Sequence, residues 1–129
     1  MKNRVTGIGG IFFKSEDPDA AKAWYKKHLG LDTDNYGCTF WWKDKKGNDC
    51  STQWSPMDKE TSYFEPSKNQ FMMNFRVENL DELLKTLKAE GVTLVGEPES
   101  YDYGKFGWIL DAEGNKIELW EPVDKVFLK

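Results

Sequence analysis

Asp111-Ala112-Glu113-Gly114-Asn115-Lys116-Ile117-Glu118-Leu119-Trp120-Glu121-Pro122 is the stretch whose reading decides the fold. Its first five residues are turn chemistry: Asp and Asn bond their own backbone, and Gly supplies a left-handed conformation. The residues that follow are rich in β-formers and read as a strand. The same wording occurs earlier in the chain. Asp44-Lys45-Lys46-Gly47-Asn48 is a turn, residues 50–54 (CSTQW) read as a strand, and Trp54-Ser55-Pro56 ends it. The two turns lie 67 positions apart, and the two Trp-x-Pro triplets 66.

Working outward, each turn is preceded by the same series of elements. Residues 5–14 and 71–77 read as strands. Asp17 caps a first helix over residues 19 to about 29, with Pro18 at its first position and Gly30 as its stop. Asn79 caps a second helix over about 80–90, whose apolar stripe is Leu80, Leu83, Leu84 and Leu87, and Gly91 ends it. Phe13-Lys14 lies 62 positions before Phe75-Arg76, and Gly30 lies 61 before Gly91. Residues 39–42 (TFWW), 92–96 (VTLVG) and 106–110 (FGWIL) are further strands. Residues 99–105 read as a polar loop or strand bearing Tyr101 and Tyr103, and a short strand is expected near 62–64. The tail after Pro122 is too short to interpret. An internal repeat of this kind predicts two α+β modules, about 5–56 and 71–122, with a connector at about 57–70, in a single domain 1–129.

Composition bounds the function classes. The 129 residues carry a formal net charge of −4 with both signs interspersed, so no basic groove for nucleic acid is expected. The same weak negative balance suits a neutral or cationic ligand better than an anion. No apolar run has the length of a membrane span or the form of a signal peptide, so no membrane partner and a cytoplasmic location are expected. Cys38 and Cys50 flank the first hairpin without standing opposite each other, and they read as reduced thiols rather than a disulfide or a zinc pair. Aromatic residues make up 15% of the chain, with six Trp, more than a small core needs, so some of them are candidates for a ligand cleft.

The closing segment 111–122 resembles the D-P-D-G-N-x-I-E-L-W-E-P signature of vicinal oxygen chelate domains, the glyoxalase, bleomycin-resistance and dioxygenase superfamily. Asp17-Pro18 leading to Trp24-Tyr25 and Leu29-Gly30 resembles its opening segment. The resemblance implies two βαβββ modules forming a curved mixed sheet, helices on the convex side, a ligand cleft on the concave side, and a homodimer. It also implies where a metal would be held: Gly10, Met72, Glu118, and Thr52 counted from Trp-x-Pro or Ser51 counted from the turn. Gly has no side chain, a Met thioether is a soft and weak ligand, and Thr is a poor one, so only Glu118 is a competent donor. No cofactor is expected, and a divalent metal is the minority alternative. His28, in the last turn of the first helix, reads as a partner of the helix dipole rather than a ligand.

Strand parity from Gly10 and Met72 places Phe12 and Lys14, Asn74 and Arg76, Thr52 and Trp54, and Glu118 and Trp120 on the concave face, with Lys14 and Arg76 either toward its rim or as ordinary snorkelling surface residues. Ile11, Phe13, Met73, Phe75 and Val77 then face the helices. Of the adjacent Trp41 and Trp42, one is expected in the core and the other in the cleft or at a dimer surface. Tyr101, Tyr103, Phe106 and Trp108 form a cleft lip or pack in the core or interface. The expected ligand cleft is Phe12, Thr52, Trp54, Met72, Asn74, Arg76, Trp108 and Trp120. Glu118 is the one candidate general base, its alternative role being a hydrogen-bonded or ion-paired strand residue.

Four functions stay open on the sequence. The first is a metal-free module that binds or sequesters a small molecule. The second is a metal-dependent glyoxalase-like lyase, isomerase or dioxygenase. The third is a metal-independent enzyme using Glu118, with Tyr101 or Tyr103. The fourth is a protein that uses the fold only to dimerise.

Overall fold

The computed structural model describes residues 4–128. The chain runs through β1 (Gly7–Ser15), α1 (Pro18–Leu29), β2 (Cys38–Lys43), β3 (Asp49–Asp58), β4 (Phe71–Arg76), α2 (Leu80–Ala89), β5 (Glu99–Tyr101), β6 (Gly104–Leu110) and β7 (Lys116–Pro122), then a 3-10 turn, Asp124–Phe127. The strands form one mixed sheet in the order β2-β3-β1-β4-β7-β6-β5. In each half the first strand runs parallel to the last, β1 to β3 and β4 to β7, with a helix in the crossover. Antiparallel pairing of β1 with β4 joins the halves at the centre. The α+β sheet of two related halves is therefore as the sequence predicts.

The helix ends follow from their capping residues. Asp17 is extended and its carboxylate accepts from Ala20 N at 3.1 Å, while Gly30, at φ 72°, returns its N–H to the Lys26 carbonyl. Asn79 caps α2 through Glu82 N. Leu80, Leu83 and Leu84 of α2 close a core with Val77, Ile109 and Leu119. Helix α1 is more loosely seated, with Trp24 half exposed and Tyr25 packed on Trp54 at 4.6 Å between ring centroids. Phe75 belongs to the α2 core, and its ladder neighbours on β1 lead through Phe13 to Trp54 and Tyr25, so both helices cover the same face of the sheet.

Two local expectations change, at residues 92–96 and 62–64. Residues 92–96 form only a single bridge, Leu94 to Ile109, because Gly96, at φ 69°, turns the chain away and Pro98 has no N–H to extend a ladder. The edge strand is β5 instead, within the segment read as loop or strand. Residues 62–64 form turns rather than a strand. Cys38 and Cys50 are both free and buried; their ladder partners are Trp54 and Trp42, not each other.

Candidate functional site

One row of cross-strand partners organises the face away from the helices. Gln53 pairs with Gly10, Gly10 with Asn74, and Asn74 with Glu118, so four adjacent strands each contribute one residue. Residues directly opposite in a ladder share a face. The register shifts between Ile8 and Gly10, which makes Gly9 the extra residue of a bulge. A Cβ on Gly9 would lie 2.1 Å from Asn74 Oδ1, and one on Gly10 would lie 2.6 Å from the ring of Phe12. Gly9 and Gly10 of the GIGG segment therefore let Asn74 and Phe12 fold down onto β1.

Glu118 is the centre of the row's polar chemistry. It is 3% exposed and accepts three hydrogen bonds. Asn74 Nδ2 donates to Oε1 at 2.6 Å, Trp108 Nε1 donates to Oε2 at 2.9 Å, and the Tyr63 hydroxyl also donates to Oε2. Tyr63 comes from the segment between the halves, which folds back over the sheet. Burial, then the neighbouring Glu118 charge, raises the Tyr63 phenol far above the ordinary tyrosine range. Lys116, two residues before Glu118, donates to the Tyr63 carbonyl at 2.7 Å and lies over the Tyr63 and Trp108 rings. Burial pushes its ammonium down in pKa, against the pull of Glu118.

Above the row is a cavity of about 660 Å³. Its walls include Phe12, Tyr103, Phe106, Trp108, Trp120 and Phe127, and its polar lining includes Gln53, Asn74, Glu99 and Glu118. Among the described residues, no Lys, Arg or His lines it. Tyr36, just before β2, and Tyr101, on β5, border the same cavity from opposite edges of the sheet, so the sheet bends around it.

The tail after Pro122 also belongs to this face. Arg76 forks onto Asp124, donating at 2.7 and 2.6 Å, and Asp124 also accepts from Ser51 N and Oγ. Burial works against the Arg76 charge, but Asp124 outweighs it and holds the pKa above the ordinary arginine value. Burial likewise opposes the Asp124 charge, and Arg76 with Ser51 holds that carboxyl below its ordinary range. The Arg76 guanidinium lies 5.3 Å from the Trp120 ring and 5.5 Å from that of Trp42. Phe127 packs near Trp120 and Tyr103. The tail thus borders two cavities, the aromatic one through Phe127 and a charged one of about 750 Å³ through Asp124.

Several expected positions move. Phe12, Asn74, Trp108 and Trp120 line the aromatic cavity. Trp54 borders it, but its ring packs with Phe13 and Tyr25 on the helix side. Thr52 does not line it; its hydroxyl donates to the Ile8 carbonyl and accepts from Trp42 Nε1. The parity of β3 is therefore one residue off the expected one, and Gln53, Ser55 and Met57 line the cavity. Met72 is wholly buried in a cluster with Phe64 and Trp108. Arg76 lines the charged cavity rather than the rim of the aromatic one. Lys14 reaches over the Phe64 ring. Trp42 is engaged by Thr52 and Arg76, while Trp41 is 41% exposed. Sequence reading missed Tyr63, Gln53 and Asp124. Only the turn-based count, which ended on Ser51, pointed to the right face of β3.

These side chains do not fit a metal. Gly10 offers no donor and is covered by Phe12, Met72 is sealed under Phe64, Thr52 is spent on backbone and indole, and both oxygens of Glu118 are taken. Among the described residues no three His, Cys, Asp or Glu side chains are grouped as a metal would require.

The glyoxalase-like domain family model matches residues 10–120. No curated protein matches the chain by sequence. Among solved structures, methylmalonyl-CoA epimerase from Mycobacterium tuberculosis is 23% identical with a TM-score of 0.65, over 100% of this chain and 96% of that one. A variant of the Streptomyces coelicolor methylmalonyl-CoA epimerase in complex with 2-nitronate-propionyl-CoA is 17% identical with a TM-score of 0.68, over 92% of this chain and 99% of that one. A Legionella pneumophila structure described as an NAD-dependent benzaldehyde dehydrogenase is 17% identical with a TM-score of 0.55, over 88% and 98%. Shared fold, a matched domain spanning most of the chain and the repeated module together place this protein in the glyoxalase-like family of the vicinal oxygen chelate superfamily.

Proposed function

We propose that the chain binds a small, planar organic molecule in the aromatic cavity, without a metal, as a binding or sequestering module. The observation that carries this reading is the lining itself. Ring systems wall a space of ordinary ligand size, a few polar groups stand on its floor, and no Lys, Arg or His is among its described lining residues. Glu118 serves there as an anchor. Its oxygens hold Asn74, Trp108 and Tyr63 in place, which leaves it poorly disposed to take a proton from a ligand.

The epimerase neighbours include one solved with 2-nitronate-propionyl-CoA. A CoA thioester is the less favoured class for this cavity, because its phosphates would find no Lys or Arg among the described lining residues. It is the natural comparator. A homodimer in the cytoplasm completes the proposal. Ile8, Ile11 and Phe71 lie on the helix-side face of the two central strands, each roughly two-fifths exposed, and a second copy would cover them. Among the described residues no helix is long and apolar enough to cross a membrane.

Titration of the tryptophan fluorescence tests the reading, with neutral aromatic compounds and propionyl-CoA as separate ligands, before and after dialysis against chelator. Saturable quenching by the neutral compounds, unchanged by chelator, is expected. Stoichiometric metal that survives dialysis, or quenching that requires added metal, would overturn the metal-free reading. Turnover of a thioester would favour the enzymatic one.

A further inference from the structure

Two buried polar atoms on the cavity floor are left over once its hydrogen bonds are assigned. Among the described residues, Gln53 Nε2 and Asn74 Oδ1 have no partner. The other ends of both amides are engaged. Gln53 Oε1 accepts from Thr39 Oγ1 at 2.8 Å, and Asn74 Nδ2 donates to Glu118. A carboxylate can only accept, so the orientation of Asn74 follows from chemistry. An unmet buried donor or acceptor is destabilising, and native structures keep few of them.

Gly10 stands between the two. It is the ladder partner of Gln53 on one side and of Asn74 on the other, so both amides rise from the same face, two strand spacings or about 9–10 Å apart. A group seated over Gly10 meets both if it presents an acceptor toward Gln53 and a donor toward Asn74. Anions are disfavoured, because the ionisable groups lining the cavity are Glu99, Glu118 and tyrosines. A cation is not called for, because three donors already meet the Glu118 charge.

We propose that the pair Gln53 and Asn74 selects a neutral carboxamide carried on an aromatic system, its carbonyl oxygen accepting from Gln53 Nε2 and its N–H donating to Asn74 Oδ1. In a carboxamide one N–H points away from the carbonyl oxygen, which suits partners on opposite sides. The aromatic portion packs among the cavity's rings, and the Phe12 side chain, which lies over Gly10, moves aside as the amide enters. This inference rests on the cavity being the ligand site.

Calorimetric titration with three probes tests it: 2-naphthamide, N,N-dimethyl-2-naphthamide, which lacks the donor, and 2-naphthoate, which lacks it and is anionic. The primary amide is expected to bind roughly ten-fold or more tighter than either comparator, the size of one or two neutral hydrogen bonds. In Gln53→Met and Asn74→Leu that preference should shrink to within about three-fold. Retained binding of the dimethyl amide shows that a variant is folded and its cavity intact, and Gln53→Met is the milder change because it leaves the Glu118 network whole. Equal binding of all three probes by the wild type would overturn the selection while leaving the cavity reading in place. Failure of all three to bind would overturn both.

Discussion

The hydroxyl of Tyr63 donates to Oε2 of Glu118, tying the segment between the two halves to the last strand across 55 positions of sequence. That bond holds the segment over the cavity floor. Tyr63→Phe is expected to lower stability by about 1–2 kcal/mol, the range for a hydrogen bond to a charged acceptor on a partly exposed group. It should also speed proteolysis within residues 59–70. Denaturant unfolding with limited proteolysis checks both, and an unchanged midpoint would show that the bond does not hold the segment.

Glu118→Ala leaves the Asn74, Trp108 and Tyr63 donors unmet where the carboxylate was 3% exposed. A loss of about 3–5 kcal/mol is expected, with Glu118→Gln losing less because it keeps one acceptor. Thermal unfolding of the two variants distinguishes an anchor from a base. A base not needed for the fold would leave the melting temperature near wild type.

The raised Tyr63 pKa fixes the sign of an alkaline effect. Above about pH 10 an unfolded chain loses the phenolic proton while the folded chain keeps it, so the folded state binds more protons and stability falls as pH rises. The contribution is fully present below the unfolded pKa. Wild type should therefore lose more stability than Tyr63→Phe between pH 9 and 11, measured by urea unfolding.

Asp124 carries the opposite sign. Its pKa is held below the ordinary carboxylate value, so its contribution is present at neutral pH and is lost as pH falls through the folded-state pKa. Asp124→Asn should destabilise by about 2–4 kcal/mol at pH 7, since it leaves the Arg76 charge buried without its counter-ion, and the difference from wild type should narrow below about pH 4. The same variant should loosen Phe127 from Trp120, read as a change in tryptophan emission.

Gly9→Ala puts a methyl 2.1 Å from Asn74 Oδ1. Asn74 must swing off Glu118 to make room, and a loss of about 2–3 kcal/mol is expected. Gly114→Ala serves as the comparison. Its Cβ would meet nothing within 4 Å, and only its left-handed backbone, at φ 83°, opposes the change, so it should lose about 1 kcal/mol.

What the amino-acid sequence determined by itself is local or repeated. Asp17, Pro18 and Gly30 bound α1, Asn79 starts α2, and the twin D-x-x-G-N turns mark the last strand of each half, because caps and turns are decided by residues three or four apart. Counting back from Trp54-Ser55-Pro56 gives the opposite face of β3, because that count is one residue out of phase and a shift of one reverses every side chain in a strand. Trp54 went under α1, where Tyr25 and Phe13 receive it, while its apparent twin Trp120 turned toward the cavity. The partners of Glu118, the row through Gly10 and the return of Asp124 to Arg76 were decided only by the tertiary structure. They depend on β1 lying between β3 and β4, on the bulge at Gly9, and on segments that carry no periodicity until the sheet gives them a surface to pack on.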